Sequence, residues 1–147
     1  MRLALSDYPA STSFRVEYAE TDGQGRVFYA NYWRFVDRGR FAYWVRLGLS
    51  EEEIRRLEHD TVIAEVHCSY RAPACFYDAV SVRTRVARLG RSSLRMEFAI
   101  VNDSTDTLMA EGHTILVNVD WGTNRAAPLT PEFKARIQAL EGRPLDD

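Results

Sequence analysis

The residue types best suited to chemistry gather in one stretch, Glu20-Thr21-Asp22-Gly23-Gln24-Gly25-Arg26-Val27-Phe28-Tyr29-Ala30-Asn31-Tyr32. Two carboxylates precede a loop with two glycines, and the loop runs into a helical pattern rich in aromatic residues. The first N–H groups of a helix have no partner inside it and carry partial positive charge, so a helix start can hold an oxyanion or polarise a carbonyl. A nearby Asp22 could then attack that carbonyl or take a proton from water. The same spacing also fits a plain Asx turn opened by Asp22, with Gly23 and Gly25 as ordinary turn residues. Spacing alone favours the turn.

Other motifs carry less. There is no GxSxG elbow, so a serine hydrolase of the α/β type is unsupported. Gly23 and Gly25 begin a GxGxxG pattern, but Phe28 stands at the third glycine and no strand-helix-strand context surrounds it. His59, His67 and His113 are scattered and form no HExxH pattern. The two cysteines, Cys68 and Cys75, lack a CxxC spacing and a matching histidine set, so no metal site is expected. They could pair with each other. The absence of a leader-like apolar stretch at the start instead predicts a cytoplasmic protein with free thiols. With 19 basic and 21 acidic side chains the formal charge is -2. That supplies no general field for nucleic acid or a membrane surface, so an anionic ligand must be met by local groups.

The elements that must position Asp22 follow from periodicity. Phe14, Val16 and Tyr18 alternate with Arg15 and Glu17, which predicts a strand over residues 14–18. Tyr32, Phe35, Val36, Gly39, Ala42, Tyr43 and Leu47 recur at helical spacing and predict a long helix ending near Gly48. Gly39 inside it costs about 1 kcal/mol relative to alanine, which makes sense where the helix must lie close against a sheet. Ser50 with Glu53 has the form of a capping box for a short second helix. Extended stretches over about residues 61–70, 79–88, 92–102 and 107–120 read as an antiparallel meander. Thr130 and Pro131 then open an amphipathic helix over 131–141. With 147 residues, 46% hydrophobic and 27% charged, the chain has the size and composition of one soluble globular domain of the α+β class. A single long helix cannot shield so broad a sheet, which predicts pairing between subunits.

The segment from Val16 to Arg40, with its acidic residue, one intervening residue, Asp22, glycine loop and aromatic-Asn31-Tyr32 helix start, resembles the 4-hydroxybenzoyl-CoA thioesterase family. The resemblance extends over about residues 14–120. It implies a hot-dog fold, a long central helix wrapped by a curved antiparallel sheet, and active sites formed between subunits of a homodimer or homotetramer. It implies hydrolysis of a small acyl- or aroyl-CoA thioester, with no cofactor. By the same match Asp22 is the catalytic carboxylate and the backbone N–H of Tyr29 polarises the thioester carbonyl, with Gly25, Val27 and Phe28 lining the substrate. Asp37 matches a position that faces the acyl group, although pairing with Arg34, Arg38 or Arg40 is the alternative. Arg88, Arg91 and Ser92 flank the Gly90 turn, where family members hold the phosphates of CoA; a solvated hairpin is the other reading. Guanidinium groups suit a multiply charged phosphate ligand. One departure stands out: Ala30 occupies a place where many bacterial relatives carry histidine. The rival functions are a non-catalytic acyl-CoA or acyl-carrier binder and a hot-dog dehydratase, the latter needing a histidine that is not found beside Asp22.

Overall fold

The computed structural model describes residues 7–145. Its elements run β1 (Ala10–Arg15), a 3-10 turn (Tyr18–Glu20), a second 3-10 turn (Tyr29–Asn31), α1 (Tyr32–Arg46), α2 (Glu51–Asp60), β2 (Thr61–Tyr70), β3 (Ala79–Leu89), β4 (Ser93–Asn102), β5 (Thr107–Asp120), the short β6 (Arg125–Ala126) and α3 (Pro131–Glu141). The antiparallel sheet has the order β1-β3-β4-β5-β2, with β6 paired to β5, and it curls around α1. This is the hot-dog arrangement.

Two expectations need correction. The first strand lies earlier than 14–18, because the alternation breaks after Val16, which is buried, and leaves Tyr18 78% exposed. The cause is Glu20, whose side chain reaches back to the Glu17 N–H and curls the chain into a 3-10 turn. The strands are also not a simple meander. β1 occupies one edge of β3, so β2 crosses to pair with β5 at the other end of the sheet. The outer edge of β2 has no strand beside it among the described residues, and Ile63 and Val66 on it are both 49% exposed.

The helix caps form as their residue types dictate. Glu53 N–H donates to the Ser50 hydroxyl at 3.1 Å and Ser50 N–H to the Glu53 carboxylate at 3.0 Å. Phe133 N–H donates to the Thr130 hydroxyl, and Gly142 closes α3 with a φ of 74° that suits glycine. One apolar cluster gathers around the first half of α1, with Val16, Val27, Phe35, Val80 and Ile100; a second gathers around its last turns, with Tyr43, Trp44, Leu89, Leu94 and Ile137. No helix among the described residues is long and apolar enough to cross a membrane.

Gly39 is where α1 comes nearest the sheet. A Cβ there would lie 2.6 Å from both the Thr84 hydroxyl oxygen and a Val82 methyl, and both neighbours are buried. Gly39→Ala is therefore expected to destabilise the fold by about 1–3 kcal/mol through overpacking, although alanine favours helix by about 1 kcal/mol. Denaturant unfolding checks this; an unchanged or raised midpoint would show that the helix is not pressed against β3.

Candidate active site

The loop carrying Asp22 is closed by a short ladder. Asp22 N–H donates to Arg26 O at 2.7 Å, Thr21 bridges Val27, and Phe28 N–H donates to Glu20 O at 3.0 Å. Gly25 turns the loop with a φ of 79°. The far strand is tied to the rest of the molecule by Val27 N–H to Ala74 O and by the bridge from Arg26 to Cys75. Asp22 is exposed, and its Oδ1 accepts from the N–H of Gln24 at 2.8 Å and of Arg26 at 3.3 Å. The Asx turn is thus present. It occupies one carboxylate oxygen, and Oδ2 has no hydrogen-bond partner among the described residues.

Beyond the ladder the chain turns into the 3-10 segment that leads α1. The N–H groups of Tyr29 and Ala30 have no partner among the described residues, whereas the Asn31 N–H already donates to Phe28 O. Unsatisfied amides at the head of a helix are the donors an oxyanion needs. Asn31 explains its own place in the motif: its side-chain amide donates to Glu20 O at 2.8 Å and pins the helix start to the strand of the loop that carries Asp22.

Aromatic rings surround this point. Phe28 and Tyr29 are 44% and 63% exposed, with ring centroids 4.8 Å apart. The Tyr70 ring stands edge-on to both Tyr29 and Tyr32, and its hydroxyl donates to Tyr29 O at 3.4 Å. Tyr18 meets Phe76 edge to face at 5.6 Å. Sequence reading missed Tyr70 and Phe76, since nothing in the local pattern distinguishes a strand end or a turn aromatic that folds back onto a distant loop. Cys68, on the same strand as Tyr70, is no rival nucleophile: burial pushes its thiol up, against a smaller lowering by the Tyr70 hydrogen bond, so it stays protonated at neutral pH.

The other residues singled out from sequence separate into two sets. Gly25, Val27, Phe28 and Tyr29 share the loop with Asp22, although the Val27 side chain is buried in the first apolar cluster and presents only its backbone. Asp37 accepts from Arg40 at 2.9 Å and is about half exposed. Arg40 in turn grips Glu58 with two hydrogen bonds of 3.1 Å, and Trp44 donates to the same carboxylate, so this network joins α1 to α2. Arg88, Arg91 and Ser92 lie at the β3–β4 turn, whose Leu89 and Leu94 belong to the cluster around the last turns of α1. Within one chain they are therefore at the opposite end of α1 from Asp22. Their turn is fixed by Leu129 N–H to Arg91 O and Asn118 N–H to Ser92 O.

Asp22 lines neither of two depressions formed by the described residues. One of about 560 Å³ lies between α2 and α3, with Leu57, Leu129 and Phe133 in its wall; the other, of about 370 Å³, lies over β2, β4 and β5 beside His67 and His113. No three His, Cys, Asp or Glu side chains among the described residues gather as metal ligands would.

Comparison with known proteins identifies the family. Residues 16–137 match the family model of the thioesterase-like superfamily. A thioesterase from Thermus thermophilus, solved in complex with coenzyme A and Zn, is 32% identical and superposes with a TM-score of 0.83, covering 95% of this chain and 98% of that one. The acyl-CoA thioester hydrolase YbgC of Escherichia coli is 29% identical over 106 residues, 72% of this chain and 78% of that protein. A solved gentisyl-coenzyme A thioesterase is 26% identical with a TM-score of 0.72, covering 85% of this chain and 97% of that one.

Proposed function

Because the chain belongs to the thioesterase-like superfamily, we propose that it hydrolyses a small acyl or aroyl thioester of coenzyme A to the free acid and the thiol. It is a thioester hydrolase of the acyl-CoA type. The finer reading places it in the 4-hydroxybenzoyl-CoA branch and takes the chain as one hot-dog domain. The names of the YbgC and gentisyl-coenzyme A relatives favour a CoA ester and keep an aromatic acyl group in play.

One observation carries the mechanism: the N–H groups of Tyr29 and Ala30, without partners among the described residues, lead into α1 on the loop that presents Oδ2 of Asp22. The thioester oxygen would sit on the Tyr29 N–H, which strengthens as the carbonyl gains negative charge. Asp22 either attacks the carbonyl carbon, expelling the CoA thiolate and leaving a mixed anhydride that water hydrolyses, or takes the proton of an attacking water and returns it to the thiolate. Both routes consume one water and break the C–S bond.

A second copy of the chain completes this reading. Antiparallel pairing of β2 with its two-fold mate would satisfy the open edge and cover Ile63 and Val66. Tyr70 lies at the Asp22 end of β2, whereas Thr61 lies at the end shared with Ser92, through the pairing of Thr61 with Asn118. The two-fold therefore turns the partner's Gly90 end toward the Asp22 end, so that arginines 88 and 91 of one copy serve the phosphates of a CoA whose thioester lies on the other. That assignment keeps both sequence-predicted sets in a single site.

The test is release of free thiol from a panel running from short aliphatic to hydroxyaryl CoA esters. Turnover of at least one class supports the proposal. Saturable binding with no hydrolysis across the panel would make the protein an acyl-CoA binder instead.

A further inference from the structure

The first carboxylate of the motif, Glu20, has no part in the chemistry described above, yet it is a charged side chain completely removed from water beside the site. Its relative exposure is 0%. Oε1 accepts from the Glu17 N–H at 2.8 Å and Oε2 from Arg38 Nη2 at 3.2 Å. The carbonyl of the same residue accepts from the Phe28 N–H at 3.0 Å and the Asn31 side chain at 2.8 Å. Arg38 is held in turn, with its guanidinium 4.4 Å from the centroid of Phe14 and 5.6 Å from that of Phe35. Glu20 thus binds the segment before Asp22, the residue before Tyr29, the helix start and the second turn of α1.

From this arrangement we infer that Glu20, through its ion pair with Arg38, is the positioning residue of the site. It fixes the Asp22 carboxylate relative to the Tyr29 N–H, and the inference rests on the reading that these two groups act on the thioester. Stripping water from a carboxylate is unfavourable, so a neutral side chain would serve a purely structural cap better. The ion pair to Arg38, whose guanidinium also lies over Phe14 and Phe35, instead ties the segment before Asp22 to α1. A misplacement of about 1 Å in a reacting group can lower a rate by roughly 100-fold.

Glu20→Gln separates the two roles. The amide keeps the acceptor for Glu17 N–H but turns an NH2 toward Arg38, donor against donor. The expected result is a kcat lower by about 10- to 100-fold, with KM changed by less than about threefold, measured well below the unfolding temperature. Adding Arg38→Gln removes the donor clash and should recover part of the loss, so the pair is less damaged than the product of the single variants. In an Asp22→Asn background, Glu20→Gln should cause little further loss, because the group it positions is gone. Should Glu20→Gln fail to fold, Arg38→Lys carries the test, since it keeps the charge but loosens the grip; the same fall in kcat at constant KM is expected.

A folded Glu20→Gln or Arg38→Lys enzyme with wild-type kcat overturns the inference. So does a full additional loss in the Asp22→Asn background, which would place the action of Glu20 elsewhere. If Asp22→Asn itself turns over normally, the underlying reading of the site fails, and that result is distinct from failure of the positioning role.

Discussion

An Asp22→Asn variant is expected to lose about 10²- to 10⁴-fold in kcat, the range seen when a positioned base or nucleophile is removed, while its fold and KM are retained. The asparagine keeps Oδ1 as acceptor for the N–H groups of Gln24 and Arg26, so the Asx turn survives. What disappears is the anionic Oδ2, which has no bond to lose among the described residues. Equal melting curves with near-normal hydrolysis would show that Asp22 is a turn residue and nothing more. The experiment separates these because the turn uses one oxygen and the proposed chemistry uses the other.

The second large effect concerns the free edge of the sheet. Val66 stands near the middle of β2, 49% exposed, on a strand with no outer neighbour among the described residues. Val66→Lys places a charge where a two-fold strand pair would close, the device by which natural edges resist pairing. The variant is expected to sediment as a monomer with its circular dichroism intact, and to lose roughly 100-fold in kcat/KM if, as proposed, the other copy supplies a second wall and the turn that meets the phosphates. Thiol release beside analytical ultracentrifugation checks both halves. A monomer with full activity would mean that one chain holds a complete site and that the partner's arginines are not needed.

The elements around the site were legible wherever one local rule dominated. The helical spacing from Tyr32 to Leu47, the Ser50–Glu53 capping box and the Thr130–Pro131 start each produced the helix they announce. Gly39 was readable too, as a close approach whose partners on β3 only the structure could supply. The strand order was not legible. Nothing within residues 61–70 says that β1 will take the free side of β3 and send β2 to β5; that choice belongs to pairings distant in sequence.

The candidate site was half visible. The acidic residues, glycines and aromatic helix start marked the loop, but Asp22 and Glu20 look alike as letters and differ completely in place. One carboxylate is exposed with a free oxygen, the other fully buried on Arg38. Burial depends on the long-range ladder through Phe28 and Val27, which local periodicity does not report. Arg88, Arg91 and Ser92 show the converse. Their chemistry suits phosphate, yet a single chain holds them at the far end of α1, and it is the proposed two-fold assembly that would bring them to a thioester.

The most direct measurement is a crystal structure of the Asp22→Asn protein with an intact acyl-CoA bound. The predicted result is a thioester oxygen about 2.7–3.1 Å from the Tyr29 nitrogen, with residue 22 facing the carbonyl carbon and the CoA phosphates at the partner's Gly90 turn. A thioester bound elsewhere, with residue 22 directed into solvent and the Tyr29 N–H untouched, would contradict the account.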